Sequence, residues 1–237
     1  MNSETAHGSL DEYLRPTYYI DSDSSEVASF ARKASDDAST ILEKGVRLYY
    51  AVRDGIRYNP YAMRFEKESY RASYVLAQGN GFCVQKAVLL VAVCRAAGVP
   101  CRLRFANVRN HLVTERLKEL MKTDLFIYHG LTEMFLNGAW VKATPAFNLG
   151  LCEKFGVLPL EFDGVNDSIF HPFDRAGRQH MEYVADHGHF ADFPYDRLME
   201  ETRKYYPHFF EYFNKPESIP TGNFEKEAEA ENRETGK

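Results

Sequence analysis

Apolar residues recur at helical spacing in two stretches before residue 100. In the first, 26–57, they stand at three- and four-residue intervals from Ala38 to Ile56, which predicts a helix that is buried on one face and ends before Asn59-Pro60. In the second, 84–97, the apolar run stops at Gly98-Val99-Pro100, a common way for a helix to end. The second stretch gives the clearer helix prediction.

An alternating pattern of apolar and polar residues replaces the helical one after residue 100. Apolar positions alternate with arginines over 101–105, and the segments 125–136 and 139–144 are also strand-like. Only Asn137-Gly138 separates the last two segments, and this dipeptide favours a type I′ turn because both central residues take positive φ. We therefore expect an antiparallel β-hairpin, with matched cross-strand pairs: Phe135 with Trp140 and Glu133 with Lys142.

Composition places the chain among proteins with one large domain. With 237 residues, 44% of them hydrophobic, it buries one sizeable core, and we assign that domain to residues 10–214. The net charge of −5 and the scattered Lys and Arg make nucleic acid an unlikely partner. The acidic segment 215–237 has a single aromatic residue, and we expect it to be disordered.

The remaining compositional features predict a cytoplasmic protein without a cofactor. The N-terminal residues have neither the basic nor the apolar region of a secretory signal, and no apolar run approaches the ~20 residues that span a bilayer. The four cysteines lack the spacing of a zinc site and the density of a disulfide scaffold. Reduced thiols, no membrane partner and no metal are the expectations.

Cys83 is the candidate nucleophile. It follows Gly79-Asn80-Gly81-Phe82 and stands at the first turn of the predicted helix 84–97. Free N–H groups and the helix dipole at such a position stabilise a thiolate, so we expect a thiol pKa below its reference value of about 8.5. The alternative is a buried structural cysteine, the commonest role of a free cysteine, and Cys94 fits that description.

His129 is the candidate catalytic partner. The period of two along the predicted hairpin puts its side chain on one face of the sheet, where Thr144 and Asn148 are its diagonal neighbours. A group that orients a catalytic imidazole by accepting its N–H would have to lie at one of these two positions. The alternative is a strand histidine that is merely packed.

Two weaker candidates lie in the C-terminal half. Imidazole and carboxylate groups in the loop 186–192 suit zinc or manganese, but a His-x-His pair in a glycine-containing loop is more often surface than ligand; the residues are Asp186, His187, His189 and Asp192. The aromatic cluster within 205–213 is expected to pack in the core, with a substrate wall as a second role.

The segments around both candidates resemble the transglutaminase-like superfamily over residues 46–148. Gly79–Cys83 followed by Arg95-Ala96-Ala97-Gly98-Val99-Pro100 resembles the nucleophile helix of that family and the turn that follows it, and His129, Glu133, Gly138 and Trp140 resemble its histidine segment. The resemblance implies an α+β, papain/transglutaminase-like fold, in which the nucleophile helix packs on an antiparallel sheet. The catalytic residues it implies are Cys83 and His129.

The resemblance also implies acyl transfer from an amide or peptide through a Cys83 thioester, with Gln78 as a weak candidate oxyanion donor beside the Cys83 N–H. The expected substrate is a peptide, a protein or a small amide, and hydrolysis and transfer remain open. One position departs from the family: Thr144-Pro145-Ala146 stands where an Asp-Pro-Thr-like triplet is usual. Thr144 or Asn148 is then expected to hold His129, and an inactive peptide- or protein-binding module is the alternative.

Overall fold

Helices and one antiparallel sheet make up the fold of the computed structural model, which describes residues 10–111, 113–171, 173–213 and 222–234. The helices are α1 (Ser25–Ser35), α2 (Ile41–Gly55), α3 (Ala72–Gln78), α4 (Cys83–Ala96), α5 (Glu115–Met121), α6 (Leu149–Phe155), α7 (Tyr195–Tyr205), α8 (Pro207–Phe213) and α9 (Phe224–Glu234). The strands are β1 (Arg57–Tyr58), β2 (Asn80–Gly81), β3 (Cys101–Asn110), β4 (Leu125–Leu136), β5 (Ala139–Ala143) and β6 (Met181–Phe190).

Helix α4 is buried on every side. All residues from 84 to 95 are buried, and a helix that is apolar all round belongs in the interior. Helices α1, α2 and α3 pack against it, as do strands β3 and β4. Cys94 Sγ, near its end, lies 3.9 Å from Met134 Sδ of β4. The predicted α+β fold, with the helix that starts at Cys83 packed on an antiparallel sheet, is confirmed.

The stretch 26–57 forms two helices rather than one. The break lies between Ser35 and Ile41, where Thr40 caps the start of α2. The Thr40 hydroxyl accepts the Glu43 N–H at 3.1 Å, and the Glu43 carboxylate accepts the Thr40 N–H at 3.2 Å. This reciprocal capping box satisfies donors that a helix leaves free at its start. The single-helix prediction is wrong because this local polar pairing competes with the longer apolar pattern.

The sheet has the strand order β5-β4-β3-β6, and every pair is antiparallel. The predicted hairpin is confirmed with its register, since Phe135 pairs with Trp140 and Glu133 with Lys142. Asn137 and Gly138 have φ of 49° and 85°, as a type I′ turn requires.

Trp140 packs beyond its strand partner. Its ring lies 5.3 Å from the Phe135 ring and 5.0 Å from Tyr13, measured between centroids. The guanidinium carbon of Arg102 stands 3.9 Å from the Trp140 ring centroid. Tyr13 belongs to a short 3-10 helix, Leu10–Tyr13. Trp140 therefore joins the hairpin to the start of the described chain.

Part of the acidic segment that was expected to be disordered is helical. Residues 224–234 form α9, and Phe224 is 2% exposed. The Glu225 carboxylate accepts from Asn148 and Lys154, and Glu227 accepts from the Tyr61 hydroxyl. The composition argument fails because one aromatic side chain and a few carboxylates find partners on the body of the protein. The rest of 215–237 lies largely outside the described residues.

Membrane-spanning helices are absent from the described part of the chain, where none combines sufficient length with sufficient apolar character.

Candidate functional site

The loop that precedes Cys83 is held in place by a short parallel pairing. Arg57 pairs with Asn80 and Tyr58 with Gly81, so the end of α2 is tied to the start of α4. Gly79 supplies the left-handed turn, with φ of 62°, which glycine adopts without steric cost. Cys83 then becomes the first residue of α4 and is partly exposed.

Gln85 fixes the first turn of α4. Its side-chain oxygen accepts the Phe82 N–H at 3.2 Å, and its side-chain nitrogen donates to the Ser69 carbonyl at 2.7 Å. One of the N–H groups just before the helix is thereby satisfied by a side chain from within the same turn. The backbone next to Cys83 is held from both sides.

Gly130 brings β4 into close contact with the start of α4. A Cβ atom at Gly130 would stand 2.8 Å from Val84 Cα and 3.2 Å from the Cys83 carbonyl oxygen, so only glycine allows this approach. The Gly130 N–H lies near enough to the Cys83 sulfur to favour the thiolate. Sequence reasoning missed Gly130, although a glycine inside a predicted strand is a known sign of a close backbone approach.

A β-bulge redirects β4 just before His129. Ala106 pairs with His129 and Val108 with Phe126, so Ile127 and Tyr128 together oppose one residue of β3. Tyr128 has a φ of 51°, which is uncommon for a residue other than glycine. Such bulges bend a strand and re-aim its side chains. No pattern along residues 125–136 predicts this bulge.

The sheet edge explains how Cys83 and His129 come to line the same cavity. The strand alternation puts Met134 on the α4 face and His129 on the opposite one. Strand β5 pairs with β4 only from Thr132 to Leu136, which leaves the edge at Gly130 open to the Cys83 sulfur. Cys83 and His129 consequently line one cavity of about 20 Å³.

Three phenylalanines contribute to the wall of this cavity, which we call the catalytic cavity. Phe147, Phe170 and Phe224 line it together with Cys83 and His129. The Phe170 ring lies 5.2 Å from the imidazole, between centroids. Phe224 comes from α9, so the C-terminal helix contributes to the wall of this cavity. The acidic segment had not been expected to take part in the site.

Burial dominates the protonation of both candidate catalytic groups. Desolvation raises the pKa of the Cys83 thiol to about 11, although the backbone N–H groups of Gly130, Val84 and Cys83 itself oppose the rise. Desolvation lowers the pKa of His129 to about 4. The expectation of a lowered thiol pKa is wrong, because the cost of a charge in an apolar cavity exceeds the help from the helix start. At neutral pH the pair is a thiol and a neutral imidazole.

Thr144 and His129 both have buried polar atoms without partners. Among the described residues, His129 Nε2 and Thr144 Oγ1 make no hydrogen bond. The Thr144 hydroxyl lies near that of Tyr183 but without hydrogen-bond geometry. Buried imidazole nitrogens normally have a partner. These two atoms thus mark the region in which an orienting group would act.

The Asn148 side chain makes hydrogen bonds to residues other than His129. Its side-chain oxygen accepts the Tyr58 N–H at 3.0 Å, and its nitrogen donates to Glu225 at 3.1 Å. The structure therefore does not place it on His129 as expected, because it ties β1 to α9 instead. Gln78 is exposed at the end of α3 and is not among the residues that line the catalytic cavity.

Tyr183 is a further residue that the sequence did not indicate. Its hydroxyl accepts the Phe170 N–H at 3.3 Å, and Phe170 packs on His129. Tyr183 thus supports the aromatic wall of the catalytic cavity from β6. The polar residues on both sides of Tyr183 lack the alternating pattern that would predict the strand β6.

Lys86 lies one turn beyond Cys83 and is completely buried. Its ammonium group donates to the carbonyl oxygens of Arg53, at 2.9 Å, and Ile56. These are carbonyls at the end of α2, where a helix lacks partners for its last C=O groups. Burial lowers the pKa of Lys86 to about 7. Its contacts are those of a structural group that joins α2 to α4.

The candidate metal ligands of 186–192 are held apart by separate partners. Asp186 pairs with Arg104, His187 Nε2 stands 2.8 Å from Asn107 Oδ1, and Asp192 accepts from the Thr17 hydroxyl at 2.6 Å. Within the described ranges, no group of three or more His, Cys, Asp or Glu side chains could hold a metal ion.

The solved structures that resemble the chain are distant from it in sequence, as two of them show. A proposed cysteine protease from Cytophaga hutchinsonii is 17% identical with a TM-score of 0.46, over 77% of this chain and 54% of that one. A proposed protease from Parabacteroides distasonis is 18% identical with a TM-score of 0.38, over 57% of this chain and 25% of that one. The chain thus spans about half the length of the first and a quarter of the second.

The family comparison covers the region that holds both candidate residues. No curated protein matches the chain. The model of the transglutaminase-like superfamily matches residues 28–145, a range that includes the start of α4, the bulged strand β4 and Thr144. Residues 28–145 of this chain belong to the transglutaminase-like superfamily.

Proposed function

We propose that the protein is a thiol-dependent enzyme that hydrolyses or transfers an amide or peptide bond through a thioester on Cys83. The observation that carries the proposal is the catalytic cavity, where the sulfur at the start of α4 and the His129 imidazole line the same space. The four cysteines are free, which suits a reducing compartment such as the cytoplasm.

The reaction starts from a neutral pair. His129 accepts the thiol proton while Cys83 Sγ bonds to the carbonyl carbon, and the carbonyl π electrons move to oxygen. The backbone N–H groups of Gly130, Val84 and Cys83 lie beside the Cys83 sulfur, and of these we assign the Cys83 N–H as the donor to the developing oxyanion. The C–N bond then breaks as the imidazolium gives its proton to the leaving amine. Water or a second amine releases the acyl group.

The missing carboxylate sets the expected strength of this catalysis. Thr144 stands where the family usually has Asp, and an uncharged hydroxyl does not stabilise imidazolium as a carboxylate does. Protonation of His129 in the apolar cavity therefore costs a large free energy of desolvation. We expect an attenuated enzyme that acylates readily from an activated ester and slowly from an unactivated amide.

The same observations support the second candidate, a peptide- or protein-binding module without activity. A thiol pKa of about 11 and an unpartnered Nε2 are also what a site that has lost its chemistry would show. The two candidates differ in whether Cys83 forms a covalent intermediate.

Single-turnover acylation by a 4-nitrophenyl ester separates the two candidates. We expect a burst of 4-nitrophenolate and a mass increase of one acyl group on the peptide that contains Cys83. Cys83→Ala should abolish both, and His129→Ala should slow the burst by about 10²-fold or more. Cys152→Ala is the matched control, since Cys152 is buried away from both residues. An identical trace for wild type and Cys83→Ala would leave only the binding role.

A further inference from the structure

A second cavity adjoins the catalytic cavity and shares Cys83 with it as a lining residue. It has a volume of about 80 Å³, and we call it the apolar pocket. Helix α5 contributes Leu117, Leu120 and Met121 to its wall, and helices α7 and α8 contribute Leu198 and Phe209. The helices α5, α7 and α8 thus build a space directly beside the candidate nucleophile, and His129 is not part of its lining.

The apolar pocket is suited to hydrocarbon rather than to polar groups. No charged side chain is among its lining residues. The Tyr206 hydroxyl in its wall is already used, because it donates to the Leu125 carbonyl at 2.7 Å and accepts the Ile127 N–H at 2.9 Å. The Tyr61 hydroxyl donates to Glu227. A charged or strongly polar group placed here would lose its hydration without equivalent partners.

The volume limits the size of the occupant. An engineered cavity that binds benzene has a volume of about 150 Å³. The apolar pocket, at about 80 Å³, offers about half of that space, so a short aliphatic chain fits it better than an aromatic ring. A propyl or branched aliphatic group matches this size.

We propose that the apolar pocket binds a small aliphatic group on the acyl side of the bond that Cys83 attacks. The proposal rests on the acyl-transfer function above and adds a substrate class to it. Because Cys83 itself lines the pocket, the occupant lies next to the carbonyl carbon that bonds to Sγ. The preferred acyl donor carries a short apolar chain, and donors with charged or aromatic groups at that position are disfavoured.

A series of 4-nitrophenyl esters tests the preference. In each reaction the Cys83 Sγ–carbon bond forms, the carbon–oxygen bond breaks, 4-nitrophenolate leaves and the thiol proton passes through His129 to water. Each rate is divided by the rate with N-acetylcysteine, which removes the intrinsic reactivity of the ester. From ethanoate to butanoate we expect a gain of roughly fourfold for each buried methylene group. Octanoate should gain nothing more, and a ratio that does not change with chain length overturns the proposal.

Filling the pocket provides the matched variants. Leu198→Phe and Met121→Phe add volume to two different walls of the pocket, and each should reduce the butanoate-to-ethanoate ratio by about fivefold or more, in a protein whose circular dichroism is unchanged. Leu158→Phe is the control, since Leu158 is 47% exposed, and its ratio should match that of wild type. Equal ratios in all three variants would contradict the assignment of the pocket.

A binding measurement separates failure of this proposal from failure of the enzymatic one. Cys83→Ala protein is titrated with butanamide and ethanamide by ligand-observed NMR. If no ester acylates Cys83 but butanamide binds more tightly and Leu198→Phe removes the difference, the pocket stands without the chemistry. If Cys83 is acylated but neither ester rates nor amide binding depend on chain length, acyl transfer stands and the pocket assignment is wrong.

Discussion

Helix α4 carries a cysteine near each end, and the two differ in their surroundings more than in their acidity. Burial raises the pKa of Cys83 to about 11 and that of Cys94 well above its usual value. Cys94 is fully enclosed beside Met134 and Cys101. Cys83 instead lines two cavities, one of them shared with His129. Access and a nearby base, rather than an acidic thiol, distinguish the candidate nucleophile from a structural cysteine.

Alkylation by iodoacetamide should show the largest difference between the two ends. At pH 8 we expect Cys83 to react faster than Cys94 by a factor on the order of 10³ or more, because Cys94 reacts only when the core opens. The Cys83 rate should rise about tenfold per pH unit from 7 to 10, since the thiolate fraction grows that way below a pKa of about 11. Peptide mass spectrometry gives both rates, with urea-unfolded protein as the reference. A plateau near pH 8 would contradict the raised pKa.

Gly130→Ala should damage only the Cys83 end. The new Cβ would meet Val84 Cα at 2.8 Å and push the start of α4 away from the Gly130 N–H. Loss of one donor to a developing charge costs about 10²-fold in rate, so single-turnover acylation should fall by about that factor. Gly55→Ala is the matched control, because nothing lies within 4 Å of its Cβ position. Normal acylation in Gly130→Ala would mean that this contact has no catalytic role.

Lys86→Met should change how stability depends on pH. In wild type the folded-state pKa of Lys86, about 7, is below the usual lysine value of 10.5. The unfolded chain therefore binds more protons, and the free energy of unfolding rises with pH between these values. The rise approaches about 1.4 kcal/mol per unit, or ~2 kcal/mol from pH 7 to 9. Urea titrations should show that Lys86→Met loses this rise. Lys118 is exposed, and Lys118→Met should keep this rise. A flat wild-type profile would contradict the lowered pKa of Lys86.

Phe224→Ala should increase the solvation of the Cys83 thiol. Removal of the ring opens the catalytic cavity, and the desolvation that raises the thiol pKa falls with it. We expect alkylation of Cys83 at pH 8 to accelerate about tenfold while Cys94 stays unchanged. Phe173→Ala is the control, because Phe173 is 56% exposed. An unchanged Cys83 rate would show that α9 does not limit access.

Thr144→Asp should have the smallest effect and the most specific one. A carboxylate near His129 raises the imidazole pKa and stabilises the charged form, so acylation should accelerate severalfold. The acidic limb of the rate profile should also move to higher pH than the value of about 4 in wild type. Asn148→Ala should leave this limb in place, because Asn148 contacts Tyr58 and Glu225. A slower Thr144→Asp enzyme would place the orienting group elsewhere.

Local patterns predicted the elements that carry the two candidate residues. Helix α4 follows from its apolar run and Gly-x-Pro ending, and the hairpin register follows from Asn137-Gly138, because both signals lie within a few residues. Strand β6 did not show because its residues are mostly exposed and it pairs with β3 through two register shifts. Strand β6 forms because it pairs with β3, and its own residues do not alternate between apolar and polar.

The chemistry of the candidate site was less predictable than its position. The bulge at Tyr128 and the contact at Gly130 depend on which elements pack together in the folded chain. The contribution of Phe224 to the cavity wall comes from a residue nearly a hundred positions away from the start of β4. The raised thiol pKa follows from that enclosure. A helix start predicts an acidic thiol only where the sulfur is well solvated, and apolar residues surround much of Cys83.

Trp140 determines what intrinsic fluorescence can report about this protein. It is the single tryptophan of the chain, and its indole lies against Phe135, Tyr13 and the Arg102 guanidinium. Neither cavity beside Cys83 includes it. Its emission should therefore follow the undocking of the 3-10 helix and the opening of the hairpin. A ligand at Cys83 would leave the signal unchanged, so titrations of the site need an extrinsic dye or a second indole.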